Sequence, residues 1–283
     1  MRVLVTGAGG MLARALVAEL RHRDHEVVAL DRSELDVTDE EAVEARLRAE
    51  SPEAVVQCAA FTAVDAAEAE EPAAMRVNAE ATRYLAGACQ RIGALLVYPS
   101  TDYVFSGKGN RPYRPTDPPD PVNAYGRTKL AGERAAREAG KALVVRTSWL
   151  YGAGGPNFVD TISRLARERD RLEVVDDQVG RPTWTVSLAR TVVDLLERRV
   201  VGTFHATDGG EPVSWFGVAS RILVERSLAT PILPVGSAAF PRPARRPAYS
   251  VLDCSATEDA IGRLLPDWGE MLARYLKGGG AGE

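Results

Sequence analysis

The sequence predicts an α/β protein built on a doubly wound parallel sheet of the Rossmann type, followed by a smaller C-terminal lobe. Short apolar runs rich in β-branched residues recur along the first half of the chain, and segments of helical periodicity separate them. The first apolar run ends in a cluster of glycines. Because successive residues of each run are apolar on both faces, we expect a sheet that helices cover on both sides.

Each predicted element follows from this alternation. The predicted strands cover residues 2–6, 27–31, 54–58, 95–98 and 143–146. The predicted helices cover residues 11–23 and about 39–49, 75–90 and 125–139. Strand and helix therefore alternate through the first 150 residues, as in repeated βαβ units.

The composition of the sequence changes near residue 150, where glycine- and proline-rich stretches become frequent. Residues 1–150 are predicted to form a dinucleotide-binding core that includes a helix with the pattern Tyr-x-x-x-Lys. Residues 151–277 contain many glycine- and proline-rich loops, but Leu172–Val175 and Val186–Leu196 resemble further core elements. We therefore expect this second segment to complete the core and to form a substrate-binding lobe. The glycine-rich tail, 278–283, is expected to be disordered.

Composition excludes several classes of function. The chain has 35 Lys and Arg against 39 Asp and Glu, with no basic cluster typical of nucleic-acid binding. A nucleic acid is therefore not expected as a partner. No run of 18 apolar residues is present, so a membrane is not expected as a partner either. The three cysteines and three histidines match no disulfide or metal pattern, so we predict a cytoplasmic protein with no bound metal.

The glycine cluster after the first strand predicts a dinucleotide site. Gly7 and Gly10 occupy the first and fourth places of the loop, and missing side chains let backbone N–H groups approach a pyrophosphate. Asp31 ends the second strand 21 residues after Gly10, where a carboxylate can accept a hydrogen bond from the adenosine ribose. Asp31 repels a 2′-phosphate, whereas Arg32 and Ser33 favour one. Both NADPH and NADH therefore remain open.

Two further features predict chemistry at a carbonyl group. Tyr125 and Lys129 lie four residues apart on a predicted helix, so the ammonium group is expected to lower the pKa of the phenol from about 10. Thr101 ends the fourth strand, at the edge of the sheet where ligands bind, and its hydroxyl can hydrogen-bond a carbonyl oxygen. Together with the glycine loop, these residues predict hydride transfer to or from a carbonyl.

On these motifs the chain resembles the extended short-chain dehydrogenases/reductases, and among them the dTDP-4-dehydrorhamnose reductase family. The resemblance covers nearly the whole chain. The blocks that carry it are residues 59–68, 100–105, 125–133, 146–151, 177–183 and 242–247, with Ser250. The blocks at 177–183 and 242–247 separate this subfamily from sugar epimerases and dehydratases.

The resemblance implies reduction of the C4 keto group of dTDP-4-dehydro-6-deoxy-L-mannose to dTDP-L-rhamnose with NADPH or NADH. It implies that Tyr125 donates the proton, that Lys129 holds the nicotinamide ribose, and that Thr101 polarises the carbonyl. The other implied cofactor contacts are Gly10, Met11, Leu12, Asp31, Asp36, Val37, Ala60, Phe61 and Thr62. The implied substrate contacts are Thr101, Asp102, Tyr125, Trp149, Arg242 and Arg245. A monomer or a homodimer is expected.

The chain departs from the family pattern at a few positions. Phe61 stands where relatives often carry His, and Arg181 replaces a small residue, which is expected to alter the mouth of the substrate site. Arg14 and Ala15 occupy the part of the first helix where acidic residues link magnesium-bound dimers in some relatives. A bound metal is therefore not expected.

Two alternatives remain open. One is a reductase for a different nucleotide-linked 4-keto sugar. The other is a non-catalytic protein similar to the regulatory subunit of methionine adenosyltransferase, which resembles this family and acts by binding a partner. The intact set of Thr101, Tyr125 and Lys129 favours catalysis.

Overall fold

The computed structural model describes residues 1–278, and its first half alternates strands with helices. The elements are β1 (Arg2–Thr6), α1 (Met11–His22), β2 (Glu26–Leu30), α2 (Glu40–Glu50), β3 (Ala54–Gln57), α3 (Ala66–Ala69), α4 (Glu71–Met75), α5 (Ala81–Ile92), β4 (Leu95–Thr101), α6 (Ala124–Arg137) and β5 (Ala142–Thr147). Each predicted strand is present and is shifted by at most three residues at either end.

The second half has shorter strands. Its elements are β6 (Leu150–Tyr151), α7 (Phe158–Glu168), β7 (Leu172–Val175), β8 (Val179–Gly180), β9 (Thr183–Trp184), α8 (Thr185–Glu197), β10 (Gly202–His205), β11 (Val213–Ser214), α9 (Trp215–Glu225), β12 (Ile232–Val235), α10 (Ser255–Ile261) and α11 (Trp268–Leu276). The predicted disordered tail, 278–283, lies outside the described residues except for Gly278.

The main sheet has six parallel strands in the order β2-β1-β3-β4-β5-β10. The predicted doubly wound, Rossmann-type sheet is therefore confirmed. β2 lies on one side of β1, and the next strand in the chain, β3, lies on the other side. This reversal of strand order opens a crevice at the carboxyl ends of β1 and β3. Thr6 and Gln57 are paired at this point.

Helices cover both faces of the sheet, which explains why the strands are apolar on both sides. On one face α1 packs against α8, over a core that includes Val3, Val5 and Leu16. On the other face α2, α5 and α6 cover a core that includes Leu4 and Val55. Alternate residues of β1 thus enter opposite cores.

The predicted helix over residues 75–90 differs in detail from the observed segment. It begins earlier, as α4, and contains a π-helical turn, Arg76–Glu80, before α5. The turn places the fully buried Asn78 against the loop after β3: its side chain accepts from the Phe61 N–H at 2.8 Å and donates to the Phe61 carbonyl at 3.0 Å. Such turns recur at functional sites, and helical periodicity in a sequence does not reveal them.

The segment after residue 150 contributes to two cores. Its strand β10 completes the main sheet, and its helix α8 covers one face. A separate apolar cluster joins α7, α9 and α11, with Tyr151, Trp184 and Ile222 among its buried members. Leu172–Val175, predicted as a further core element, forms a strand that pairs with β12 in a small separate sheet, and Leu172 and Val174 belong to this cluster.

Two absences concern residues 1–278 only. None of their helices is long and apolar enough to cross a membrane. In the same range, no group of three or more His, Cys, Asp or Glu side chains is arranged to hold a metal ion. All three cysteines in this range are free thiols, at positions 58, 89 and 254.

Candidate active site

A cleft of about 580 Å³ opens at the carboxyl edge of the main sheet, and a second cavity of about 260 Å³ adjoins it at Gly7 and Ala60. The predicted site residues that line the cleft are Gly7, Gly10, Met11, Leu12, Ala60, Thr62, Thr101, Asp102, Tyr125, Lys129 and Trp149. Those that line the second cavity include Arg32, Asp36, Val37 and Phe61. Asp31, Arg242 and Arg245 line neither.

The glycine loop has the geometry that a phosphate group requires. Gly7 has a φ of +65°, and a Cβ atom there would lie 2.6 Å from the Ala59 nitrogen, so only glycine fits. Gly10 is the N-cap of α1, and no side chain caps the helix and no acidic residue occupies its first turn. The N-terminus of α1 therefore presents free N–H groups and a positive dipole end to the cleft.

The smaller cavity lies beside the end of β2. Asp31 is exposed, and its Oδ1 accepts hydrogen bonds from the Ser33 N–H at 2.7 Å and the Ser33 hydroxyl at 2.6 Å. These bonds lower the pKa of Asp31, so the carboxyl group is ionised at neutral pH. Asp36 accepts in the same way from Thr38 and lies 4.0 Å from the exposed Arg32. Ser33, considered as a possible phosphate contact, is thus engaged by Asp31.

Tyr125 and Lys129 lie on one face of α6, as their spacing predicts. The side chain of Asn123 caps this helix by accepting from the Gly126 N–H at 2.8 Å. Lys129 is buried, and its ammonium group donates to the Pro99 carbonyl at 2.7 Å and lies 4.0 Å from the centre of the Tyr98 ring. The Lys129 cation is therefore held by the end of β4.

The expected lowering of the Tyr125 pKa by Lys129 is wrong in this structure. Burial raises the pKa of Tyr125 and the charge of Asp102 raises it further, while a hydrogen bond with Thr101 partly offsets these effects. Burial also lowers the pKa of Lys129 to about 7, although Glu133 and Cys58 oppose this shift. Lys129 is thus only partly charged near neutrality, and its effect on the phenol is correspondingly weak.

Thr101 and Asp102 stand together at the end of β4. The Thr101 hydroxyl donates to Asp102 Oδ1 at 3.0 Å and accepts from the Tyr103 N–H at 3.1 Å. Asp102 is almost fully buried, and its Oδ2 has no hydrogen-bond partner among the described residues. Burial raises the pKa of Asp102 to about 7, although the nearby Ser250 and the hydrogen bond from Thr101 oppose this shift. An unpaired carboxyl oxygen here is available to a hydroxyl group of a ligand.

Trp149 lines the cleft with only part of its ring free. It has a left-handed backbone with a φ of +49°, and its ring stacks on Trp215 at a centroid distance of 3.6 Å. Gly180 packs against its edge, where a Cβ atom would lie 2.6 Å from the ring. The expected aromatic contact surface for a sugar therefore consists of two stacked indoles.

Arg242 and Arg245 are exposed on the segment before Ser250 and do not reach the cleft. The backbone of this segment is nevertheless tied to α6, because Asn123 Nδ2 donates to the Arg245 carbonyl at 2.8 Å.

The departures from the family pattern have clear positions. Arg181 turns away from the cleft, donates to the Leu252 carbonyl at 3.1 Å and lines a different cavity, so the expected change at the substrate mouth is not seen. Arg14 lies on α1 and donates to the Gly9 carbonyl at 2.9 Å, and the Glu19 carboxylate is paired with Arg23 at 2.7 Å.

The structure adds three residues that sequence reasoning missed: Gln57, Thr147 and Trp215 all line the cleft. Gln57 is 1% exposed, and neither atom of its amide has a hydrogen-bond partner among the described residues. The Thr147 hydroxyl is also unpaired, and Thr147 pairs with Thr101 across β4 and β5. A polar residue that ends a buried apolar strand is the signal that marks Gln57 and Thr147.

The fold and the site define an NAD(P)H-dependent oxidoreductase of the extended short-chain dehydrogenase/reductase type. A family model described as "RmlD substrate binding domain" matches residues 1–279. The chain is 48% identical over 277 residues to the dTDP-4-dehydrorhamnose reductase of Streptomyces griseus, covering 94% of this chain and 90% of that protein. The chain therefore belongs to the RmlD family, as the motifs predict.

Two other similar proteins show the range of this family. A probable dTDP-4,6-dihydroxy-2-methyloxan-3-one 4-ketoreductase of Streptomyces antibioticus is 46% identical over 260 residues, which cover 89% of this chain and 86% of that protein. The crystal structure of dTDP-4-dehydrorhamnose reductase from Bacillus anthracis, in complex with NADP, superposes with a TM-score of 0.94 at 38% identity. That match covers 98% of this chain and 99% of the other.

Proposed function

We propose that this protein reduces the C4 keto group of dTDP-4-dehydrorhamnose and so forms dTDP-L-rhamnose. The observation that carries the proposal is the meeting of Thr101, Asp102, Tyr125 and Lys129 in one cleft that continues into a glycine loop. The name of the Streptomyces griseus relative supports the same substrate.

The residues present fit a nicotinamide dinucleotide. The glycine loop packs so closely on the Ala59 backbone that a Cβ atom at Gly7 would clash, and the uncapped N-terminus of α1 suits a pyrophosphate. Gly10, Met11 and Leu12 would hold that group, while Asp31, Arg32, Asp36, Val37, Ala60, Phe61 and Thr62 would surround the adenosine and its ribose. When bound, the nicotinamide supplies the hydride that adds to C4.

Tyr125 is the proton donor in this proposal. Its raised pKa means that the phenol is protonated at neutral pH, so it is ready to donate to the C4 oxygen as the hydride arrives. Thr101 donates to Asp102 in this structure, and in the proposed reaction its hydroxyl turns from Asp102 to donate to the same oxygen, which stabilises the charge that develops there. Lys129 binds the nicotinamide ribose, and a charged Lys129 stabilises the phenolate that remains.

The sugar and the nucleotide are assigned to the rest of the site. Asp102, with its unpaired Oδ2, accepts a hydrogen bond from a sugar hydroxyl, and Trp149 contacts the apolar side of the ring. Arg242 and Arg245, which are exposed and do not line the cleft in this structure, would extend from their segment to bind the diphosphate. In this proposal residues 1–150 bind the cofactor and include the catalytic helix α6. Residues 151–277 contribute core elements and form the substrate lobe.

The setting of the reaction is part of the proposal. We place the enzyme in the cytoplasm, as a monomer or a homodimer that needs no metal for hydride transfer. The pairing of Glu19 with Arg23 and Arg190 supports the last point, because these arginines already balance that carboxylate. Activity that disappears after EDTA treatment and returns with Mg²⁺ would contradict it.

A second candidate is reduction of a different dTDP-linked 4-keto sugar. The Streptomyces antibioticus relative supports it, because a 4-ketoreductase with a different sugar in its name is 46% identical to this chain. The residues that face the sugar, Asp102, Trp149 and Trp215, do not by themselves select one stereochemistry.

The experiment that separates these functions compares dTDP-, UDP- and GDP-linked 4-keto sugars with NADPH and NADH. We expect loss of the nicotinamide absorbance with dTDP-4-dehydrorhamnose and identification of the product as dTDP-L-rhamnose by NMR. Faster turnover of another dTDP sugar would favour the second candidate. Cofactor binding without turnover of any of these sugars would instead favour a regulatory protein.

A further inference from the structure

An ion pair connects two segments that flank the cleft. Asp65 lies in the loop after β3, and Arg246 ends residues 242–246, which we call the basic segment. Arg246 donates to both oxygens of the Asp65 carboxylate, at 2.9 Å for Nη2 and Oδ2 and with a shorter contact between Nη1 and Oδ1. Asp65 Oδ1 also accepts from the Ala244 N–H at 3.2 Å. The two side chains are 32% and 20% exposed, so solvent only partly screens the pair.

The same arginine lies near a tyrosine that packs on Tyr125. The charge of Arg246 opposes the rise that burial causes in the pKa of Tyr103. The Tyr103 ring packs edge to face on Tyr125, with centroids 5.9 Å apart and planes at 79°. On the other side, Asn123, the N-cap of α6, donates to the Arg245 carbonyl. The basic segment is therefore fixed to the loop after β3 and to the start of the catalytic helix.

The charges of the basic segment divide into two groups. Arg246 is half-buried and paired, whereas Arg242 and Arg245 are exposed and neither forms an ion pair with a described residue. The hydrogen bond from Arg246 is the largest effect that lowers the pKa of Asp65. The charge of Arg242 lowers this pKa by a smaller amount. Val64, which precedes Asp65, lines the cleft. The basic segment is therefore fixed beside Val64, and it carries two exposed arginines that do not themselves line the cleft.

We propose, on the basis of the proposed function, that Asp65 and Arg246 are positioning residues for the sugar nucleotide. Their ion pair holds the basic segment beside the cleft, so that Arg242 and Arg245 bind the diphosphate of the substrate. Two arginines that are already held near the cleft lose less conformational freedom when the diphosphate binds, which increases affinity. The pair itself touches neither the reacting carbon nor the hydride donor.

A double-mutant cycle tests this role with Asp65→Asn, Arg246→Gln and the double variant. For each we measure the KM of the sugar nucleotide, the Kd of dTDP by calorimetry, and the Kd of NADPH by fluorescence. We expect each single change to raise the KM and the dTDP Kd by about tenfold, with the NADPH Kd unchanged. The double variant is expected to match the single variants, because all three lose the same interaction.

The control is a second bidentate pair outside the cleft, in which Arg111 donates to Asp117 at 2.9 and 3.0 Å. Arg111→Gln is expected to leave the KM and the dTDP Kd unchanged. Arg246→Lys keeps the charge without the two-pronged geometry, so it should recover part of the affinity and also serves if Arg246→Gln fails to fold.

The outcomes separate this inference from the proposed function. A lowered melting temperature with a dTDP Kd within twofold of the parent would mean that the pair only stabilises the fold. If the rise in the dTDP Kd of the double variant equals the product of the two single rises, the two residues act independently. That result also overturns the proposal. A parent that binds dTDP but turns over no 4-keto sugar contradicts the proposed function alone, and the dTDP titrations still decide the positioning role.

Discussion

The carboxylate of Glu133 accepts two hydrogen bonds of 2.8 Å from the guanidinium of Arg146, and both side chains are almost fully excluded from solvent. Glu133 lies one turn beyond Lys129 on α6, and Arg146 lies on β5. The Ser100 hydroxyl adds a third hydrogen bond to Glu133, at 2.6 Å. Burial opposes ionisation of Glu133, but the hydrogen bonds and charge of Arg146 prevail and lower its pKa. The pair thus joins α6, the helix that carries Tyr125 and Lys129, to the sheet with a charged contact.

Removing one partner of this pair is expected to destabilise the protein strongly. Arg146→Met leaves the buried carboxylate with only the longer contact to the partly exposed Arg137, at 3.4 Å, and breaking such a buried pair costs about 3–5 kcal/mol. The double change Glu133→Leu with Arg146→Met removes both charges and should cost less than the single change. Urea unfolding measures both. A single variant that loses less than about 1 kcal/mol would show that water reaches Glu133 in the native protein.

Tyr125→Phe removes the proposed proton donor and leaves the shape of the cleft nearly unchanged. We expect kcat to fall by about 10²–10⁴-fold, the range in which general acids contribute, with the NADPH Kd unchanged. The matched control is Tyr84→Phe, because Tyr84 lies on α5 and lines neither of the two cavities of the site. Equal turnover by Tyr125→Phe and the parent would assign the proton to another group.

The fold and the site differ in how far the sequence predicts them. Unbroken apolar runs, helical periodicity and glycines at a strand end report local rules, and the sheet order and the crevice follow from them. The Tyr125–Lys129 spacing likewise predicts a shared helix face. It does not predict the Pro99 carbonyl that holds Lys129, because β4 approaches α6 only in the tertiary structure.

Burial is the other quantity that spacing does not show. The sequence suggests that a neighbouring cation lowers the pKa of Tyr125, but the desolvation of both side chains dominates in the folded protein. Asp102 is a similar case, since an aspartate after a strand normally indicates a turn. Only the structure shows that it is enclosed and has an unpaired oxygen.

The stability of the protein should depend on pH through Asp102. Its pKa is raised from 3.8 to about 7 in the folded state, mainly by burial. The folded protein therefore binds this proton more tightly than the unfolded chain between these values, and the free energy of unfolding falls as pH rises through that window. The asparagine in Asp102→Asn cannot ionise, so the free energy of unfolding of this variant should fall less between pH 4 and 7 than that of the parent. The difference between the two falls should be up to about 4 kcal/mol.

Urea unfolding at several pH values measures this difference. Asp208 provides the comparison, because its pKa is also raised to about 7 by burial but both of its oxygens accept hydrogen bonds, from Trp184 and Ser187. As pH rises, the parent loses stability through the ionisation of both Asp102 and Asp208. The Asp102→Asn variant should show only the loss of stability that Asp208 causes. Identical pH profiles for the parent and Asp102→Asn would mean that Asp102 is hydrated.

Asp31 is expected to bias the choice of cofactor. Its carboxylate is ionised and exposed just after β2, where it would repel a 2′-phosphate and would accept a hydrogen bond from a 2′-hydroxyl. Asp31→Asn removes the repulsion, so the ratio of NADPH to NADH affinity should rise by about tenfold. Fluorescence titration with each cofactor measures the ratio, and Asp170→Asn, an exposed aspartate outside both cavities of the site, is the control. An unchanged ratio would show that Arg32 alone governs this contact.

Trp215 is expected to support substrate binding through Trp149. The two indoles stack with planes only 8° apart, and Phe158 packs on Trp215 from 4.5 Å, so Trp215 limits the positions that the Trp149 ring can adopt in the cleft. Trp215→Leu removes this stack, and such aromatic pairs contribute about 0.5–1.5 kcal/mol beyond the area they bury. The KM of the sugar nucleotide should therefore rise by about 2- to 12-fold, with the NADPH Kd unchanged. Trp268→Leu makes the same chemical change outside the cleft and should alter stability without altering KM. Because a general loosening of the lobe would raise KM in both variants, only a rise confined to Trp215→Leu supports a role for the stacked pair in binding.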